Sequence, residues 1–447
     1  PGTIATKEFS VTINPTDREQ EATYSIKLNI TENTFVACDD TNYDSITNAC
    51  DRDADELVYR LKDNDNQVIA EGSLIGVIGE ELIIIETKTT DVETTYNYTL
   101  EIEFVETNAD QNHNQNKVLN GTIEVEFSNE TLRDTILADN PTIDDSRSNG
   151  ITGPLTDNTT GTLFTAEDDY GTSYIYAGDV DNNWVSFAGF YWRIIRINGD
   201  GSIRLIYSGD STSGPVETGE DTQIGTSTFN EQYNDNAYVG YMYGTLGSDT
   251  YEETHANIND STIKTVLDTW YQQNLLSYSS YISAEQGFCN DRQIYTGASW
   301  DGYGILGYGP YATTYIPTSR FMQWSNGSNS WGTSQTPTLK CSGSNDYFTV
   351  SESSRGNHAL EHPVGLITAD EVILAGGFGG NANTSYYLYT NQPYWAMSPL
   401  LFTGAGAGVF AVASDGGLGH NFAYNTYGVR PVINLDKNVT ISSGDGT

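Results

Sequence analysis

At 447 residues, with 60 acidic against 20 basic side chains, the chain carries a formal charge of -40, which repels phosphate backbones and anionic lipid; no nucleic acid partner is expected. The length suits two or three domains. No apolar run approaches the roughly 20 residues of a membrane-spanning helix, so no membrane insertion is expected either. The sequence begins at Pro1 without an initiator Met or an apolar signal segment, and is read as a mature form from which an export signal has been cut.

In the first third, apolar and polar residues alternate at 8–14, 23–30, 96–104 and 122–127, the period of half-buried antiparallel strands. Between 57–61 and 68–70, the run Asp63-Asn64-Asp65-Asn66 supplies the turn chemistry of a hairpin. About seven short strands with regular turn signals predict an all-β, Ig-like sandwich over residues 1–137. The four cysteines fall as two distant pairs without CxxC spacing. An even count so placed predicts disulfides Cys38 with Cys50 and Cys289 with Cys341 in an oxidising compartment; reduced, buried thiols are the alternative.

Residues 138–168 are rich in Asp, Asn, Thr, Ser and Gly, include Pro141 and Pro154, and lose apolar spacing. They predict an interdomain linker. Residues 169–447 differ again, with all seven tryptophans and most of the 30 tyrosines and 44 glycines. Segments 192–197 and 202–207, joined by Asn198-Gly199-Asp200-Gly201, read as a hairpin whose turn needs the positive φ that Gly supplies. A helix is predicted over 261–276, capped by Asp260 or Ser261, with Ile263, Val266, Leu267, Trp270 and Leu275 near helical spacing. A second is predicted over 368–375, where Thr368 and Glu371 spell a capping box. Few helices among strands and long loops make an α+β domain.

The run Val185-Ser186-Phe187-Ala188-Gly189-Phe190-Tyr191-Trp192-Arg193-Ile194-Ile195-Arg196-Ile197-Asn198-Gly199-Asp200-Gly201 resembles the opening of a domain of unassigned function common in secreted Firmicutes proteins. Its later marks follow in order: Phe288-Cys289-Asn290-Asp291-Arg292, Gly365-Leu366-Ile367-Thr368-Ala369-Asp370-Glu371, Tyr394-Trp395-Ala396-Met397-Ser398-Pro399 and Gly428-Val429-Arg430-Pro431-Val432-Ile433-Asn434-Leu435. That domain resembles the formylglycine-generating-enzyme branch of the C-type-lectin-like fold, which is therefore the fold expected for 169–447. The first third is similar, more faintly, to the sandwiches of camelysin-type bacterial biofilm fibres. The second resemblance implies that subunits join in a fibre, partnered by copies of themselves, when an N-terminal strand completes a neighbour's sheet; Phe9, Val11 and Ile13 would be its inward residues. The alternative is that this segment is the first strand of its own sandwich.

Formylglycine generation depends, in the family resembled, on paired reactive cysteines that bind copper; a bonded Cys289 and Cys341 would offer no thiolate. His358-Ala359-Leu360-Glu361-His362 lacks the Glu beside the first His of a metalloprotease helix, and Pro363 follows, so a solvated loop is expected. Asp51, Asp53 and Asp55 are followed by Glu56 where an EF-hand needs Gly, and Trp184 takes that position after Asp179, Asp181 and Asn183. No cofactor is expected, while structural calcium on irregular acidic loops is left open. Trp300, Tyr303, Tyr308, Tyr311, Trp324 and Trp331 lie in a Gly/Ser/Asn-rich stretch and are candidates for stacking on sugars, against the plainer reading that large rings build the core.

The function expected is that of an extracellular, non-catalytic bacterial surface or filament protein, displaying a lectin-like domain for adhesion to glycans or a host surface. A carbohydrate-binding adhesin without polymerisation, and a secreted enzyme acting on glycans or proteins, are the alternatives. Paired carboxylates converging in a pocket would favour the enzyme.

Overall fold

The computed structural model describes residues 2–13, 20–38, 50–51, 55–90, 92–107, 109–128, 131–148, 150–295, 308–309, 311–325 and 328–441. It is a mostly β protein of several sheets with few helices, and it divides into two compact units, one built on residues up to Glu130 and one on Thr131–Thr440.

The first unit contains β1 (Thr3–Ile13), β2 (Gln20–Asn33), β3 (Leu57–Lys62), β4 (Val68–Ser73), β5 (Gly79–Thr90), β6 (Thr94–Phe104) and β7 (Leu119–Ser128). They form one sheet in the order β1-β6-β3-β4 and another in the order β5-β2-β7, all antiparallel. The period-two pattern does what it predicts: Val11 and Ile13, Tyr24, Ile26 and Leu28, and Leu57, Tyr59 and Leu61 turn into one core shared by both sheets. The expected hairpin is β3–β4, where Asn66 takes a φ of 62° and the Asp63 carboxylate accepts the N–H groups of Asp65 and Gln67.

In the second unit, β8 (Thr142–Asp144), β9 (Thr162–Glu167), β10 (Thr172–Ile175), β11 (Trp184–Phe187), β12 (Phe190–Ile197) and β13 (Ile203–Asp210) join the strand Val432–Leu435 in a mixed sheet, with only β8–β9 parallel. A second sheet is built around the paired strands Tyr394–Phe402 and Ala407–Val412, with β14 (Thr226–Thr228) at its edge. The helices are α1 (Leu132–Asp139), α2 (Tyr251–Thr254), α3 (Thr262–Asn274), α4 (Ile316–Phe321) and α5 (Ala369–Leu374). Both sheets share one core that takes in Trp192, Trp395 and Phe410. No helix among the described residues is long and apolar enough to cross a membrane.

The expected linker is corrected. Residues 138–168 hold the end of α1, β8 and β9, all inside the second unit. Polar composition misled because a few of its polar groups, Asn140 and Arg147 among them, are buried and paired and tie the segment into the unit. The fully buried Asn140 donates to Ile136 O and Tyr176 Oη, and Arg147, also buried, donates to Ile373 O and Leu374 O at the end of α5. Those carbonyls are orphans that every helix C-terminus must satisfy.

Both predicted helices form. Ser261 caps α3, accepting from Lys264 N, and Thr368 with Glu371 makes the capping box of α5. The predicted hairpin is β12–β13. Its turn requires Gly199, where any Cβ would lie 2.4 Å from Asp168 Oδ1.

Candidate functional site

Two places in the second unit combine concavity with chemical groups. The first is a cleft with about 30 Å³ of free space, room for one or two waters. Ion pairs line it. Arg196 bridges Asp168 (2.9 Å) and Glu371 (3.2 Å), Arg204 reaches Glu371 at 2.5 Å, and Arg320 joins Asp370 (2.9 Å) and Asp291. Burial raises the Asp370 carboxyl to about 6, Arg320 opposing; Asp168 and Glu371 are buried too, yet their arginines and backbone N–H donors hold them below the usual carboxylate range.

Carboxylates do converge here, with one strongly shifted, which is the feature set out above as favouring an enzyme. Asp168, Asp291, Asp370 and Glu371 are nonetheless engaged by arginines, Asp169, which burial pushes up, accepts from Cys341 N, and no sugar fits in 30 Å³. The motif residues that carry the resemblance belong to the same buried framework. Arg292 and Asp346 are fully buried and paired at 2.8 Å, Asn290 donates to Met397 O, and the Arg430 guanidinium donates to Tyr207 O. At these positions a missing partner strands a buried charge, at Arg292, Asp346 and Arg430, or a buried polar group, at Asn290.

Cys289 lines the cleft and is bonded to Cys341; Cys38 is bonded to Cys50, with Cα atoms 5.7 and 5.8 Å apart respectively. Both predicted pairings are present, and such bonds point to an oxidising compartment. Joined to each other, the sulfurs of Cys289 and Cys341 do not fit a copper thiolate centre.

The second place is an open groove of about 440 Å³ between the β12–β13 hairpin and α3. Its floor is aromatic: Phe190, Tyr207 and Trp270 have ring centroids 5.2 to 6.0 Å apart. Its rim is polar, with Asp210, Asp221, Gln223 and Asn274. Tyr207 and Asp210 stand three residues apart, which on a regular strand puts them on opposite faces. In the β12–β13 pairing Phe190 faces Asp210 while Trp192 faces Tyr207, so Tyr191 alone on β12 opposes Ser208 and Gly209 on β13. That bulge centres on Gly209, with a φ of 130° and no space for a Cβ against Gly214 O, and it turns both side chains toward the groove. Gln223 depends on a glycine as well, since any Cβ at Gly428 would overlap its Oε1.

No protein-family model matches this chain, and no curated protein matches it. The site therefore rests on its own geometry.

The six aromatic residues singled out from the sequence are not gathered into one site. Trp300, Tyr303 and the Trp324 side chain lie outside the described residues. Tyr308 is core, edge-on to Tyr251 and His255, and Trp331 packs by Phe410 and His420 over Gly379 and Gly380, where a Cβ would collide with its ring. Tyr311 alone stands half exposed. The plainer reading, rings as core, holds for Tyr308 and Trp331. A solvated loop at 358–362 is corrected as well: no helix forms there, but His362 is buried and stacks on Tyr271 at 4.9 Å. Among the described residues, no group of three His, Cys, Asp or Glu side chains is placed to hold a metal ion.

Phe9, Val11 and Ile13 face their own unit's core, Phe9 stacked on Tyr98 at 5.5 Å, and β1 pairs along its length with β6. β1 is the edge of its sheet, held by one neighbour.

Proposed function

We propose that this chain is an extracellular, non-catalytic surface protein whose larger unit binds carbohydrate, serving adhesion to glycans or a host surface. The carrying observation is the groove of Phe190, Tyr207 and Trp270 under a rim of carboxylates and amides. Aromatic faces cover the apolar face of a sugar while polar groups around them read its hydroxyls. In this reading the first unit is an Ig-like sandwich and the second a C-type-lectin-like domain of the formylglycine-generating-enzyme branch without its chemistry. A glycan array probed with the full chain tests it: selective retention that Trp270→Ala removes is expected, and a chain that retains no glycan would sink the reading.

A second role, assembly into filaments of identical subunits by exchange of β1, is favoured by that strand's one-sided attachment. β1 leaves a long slot beside β6 when it departs, and the same segment of a neighbour presents the same Phe9, Val11 and Ile13 to fill it. Electron microscopy of the secreted protein tests it, because filaments that persist after deletion of residues 2–13 rule the exchange out.

A further inference from the structure

The groove has a sign. Its lining contains the carboxylates Asp210 and Asp221 and no lysine or arginine. Four hydrogen bonds, the Thr212 hydroxyl first among them, hold the Asp210 carboxyl at about 2, so it is ionised wherever the protein works. All four end on Oδ1, and no bond among the described residues uses Oδ2. Both carboxylates stand close to the floor: after burial, they are the next causes that push the Tyr207 hydroxyl up to about 12. Arg430, the cation that acts on Tyr207, is buried and bound to the Tyr207 carbonyl oxygen, out of a ligand's reach.

Acidic rims are common on a chain of charge -40, and solvation alone would account for Asp221. Asp210 caps its own turn through Oδ1, and a glycine bulge also sets it in the groove lining beside Tyr207. A free cation ringed by aromatic walls, as in cages for quaternary ammonium groups, needs the rings to stand apart around it. Here the rings touch one another at 5.2 to 6.0 Å. Phe190 and Trp270 are tilted 54° to one another and the buried Tyr207 stands edge-on to Trp270, so together they wall the groove with the charge at its edge, which suits an apolar sugar face laid on one ring with a cation on its rim.

We infer that the groove selects glycans carrying free amino groups: the pyranose lies on Trp270, beside Phe190, while its ammonium meets Asp210 and Asp221. This rests on the carbohydrate-binding reading and adds the ligand's charge to it. Anionic glycans are turned away by the same carboxylates and by the charge of the whole chain.

Titration calorimetry of the full chain at low salt tests the inference, with four probes: a β-linked glucosamine pentamer, its N-acetylated form, a galacturonate pentamer and pentalysine. The expected order is glucosamine over N-acetylglucosamine by about tenfold or more, from two carboxylates near one ammonium in water, with no uronate binding. In a chain carrying Asp210→Asn and Asp221→Asn, the ratio of the two dissociation constants should fall to about one. Asp221→Asn alone, at an exposed position, should lower it partway and guards against misfolding of the double variant. Equal affinity for the two glucosamine forms in the parent chain, or a ratio untouched by the double substitution, overturns the charge selection and leaves carbohydrate binding standing. Failure of every sugar overturns the reading beneath it. Pentalysine binding as tightly as the glucosamine pentamer overturns it in favour of a basic peptide.

Discussion

Trp270 on α3 meets Phe190 on β12 with ring centroids 5.2 Å apart, a contact between residues 80 positions apart in sequence that closes one side of the groove. Trp270 also touches Trp192 and Tyr207, so its ring is both floor and support. Trp270→Ala should lower stability by about 2–3 kcal/mol, below the cost of a fully buried aromatic because the ring is only half-buried, and should weaken sugar binding at least tenfold. Trp270→Phe should recover most of both. Urea midpoints and calorimetry separate the two effects; binding that survives the alanine variant would place the sugar elsewhere.

Glu371 completes the capping box of α5 and accepts from both Arg196 and Arg204, all three side chains being almost fully buried. Glu371→Gln leaves two guanidinium groups short of their counter-charge. The expected loss is about 3–5 kcal/mol, the range for breaking a buried pair. A change under 1 kcal/mol in the unfolding free energy would contradict the assignment of this network as a structural framework.

Asp370 gives the protein a pH dependence with a definite sign. Burial raises its carboxyl to about 6 from 3.8, so the folded state binds that proton more tightly than the unfolded chain. Its contribution is fully present below pH about 4, falls as pH rises toward 6, and is lost above, a swing of at most roughly 3 kcal/mol. Asp370→Asn cannot titrate, so Tm of the parent minus Tm of the variant should decline between pH 4 and 6 and then level. A difference that rises over that window would reverse the sign.

The two disulfides close sequence separations of 12 and 52 residues. Loop-closure entropy makes them worth about 3 and about 4 kcal/mol. Cys289→Ser with Cys341→Ser should therefore destabilise the larger unit, and by more than the Cys38/Cys50 double replacement destabilises the smaller. Separate unfolding transitions measured by calorimetry check the order.

Much of the local architecture was legible because its causes are local. Alternation placed the strands of the first unit, Asn198-Gly199-Asp200-Gly201 placed the hairpin turn, and Thr368 with Glu371 placed the cap of α5. The sheet orders were not legible, since β1 pairs with β6 rather than with a sequence neighbour. The groove was hidden for a related reason. Period-two reasoning sends Tyr207 and Asp210 to opposite faces, and only the bulge at Gly209 reunites them; helical spacing marks Trp270 only as one apolar position of a helix. Composition failed where polar side chains are buried and paired, as at Asn140 and Arg147, and where aromatic rings in a glycine-rich stretch serve the core, as at Tyr308 and Trp331.

The central claim, binding without turnover, is tested most directly by incubating the full chain with the glycan it retains and following both the protein and the sugar by NMR. The account predicts ring-current shifts on the bound sugar from Phe190, Tyr207 and Trp270, lost in Trp270→Ala, and recovery of the sugar unchanged after prolonged incubation. Cleavage or modification of the glycan that Asp370→Asn abolishes would contradict it, and would move the function from the groove to the carboxylate cleft.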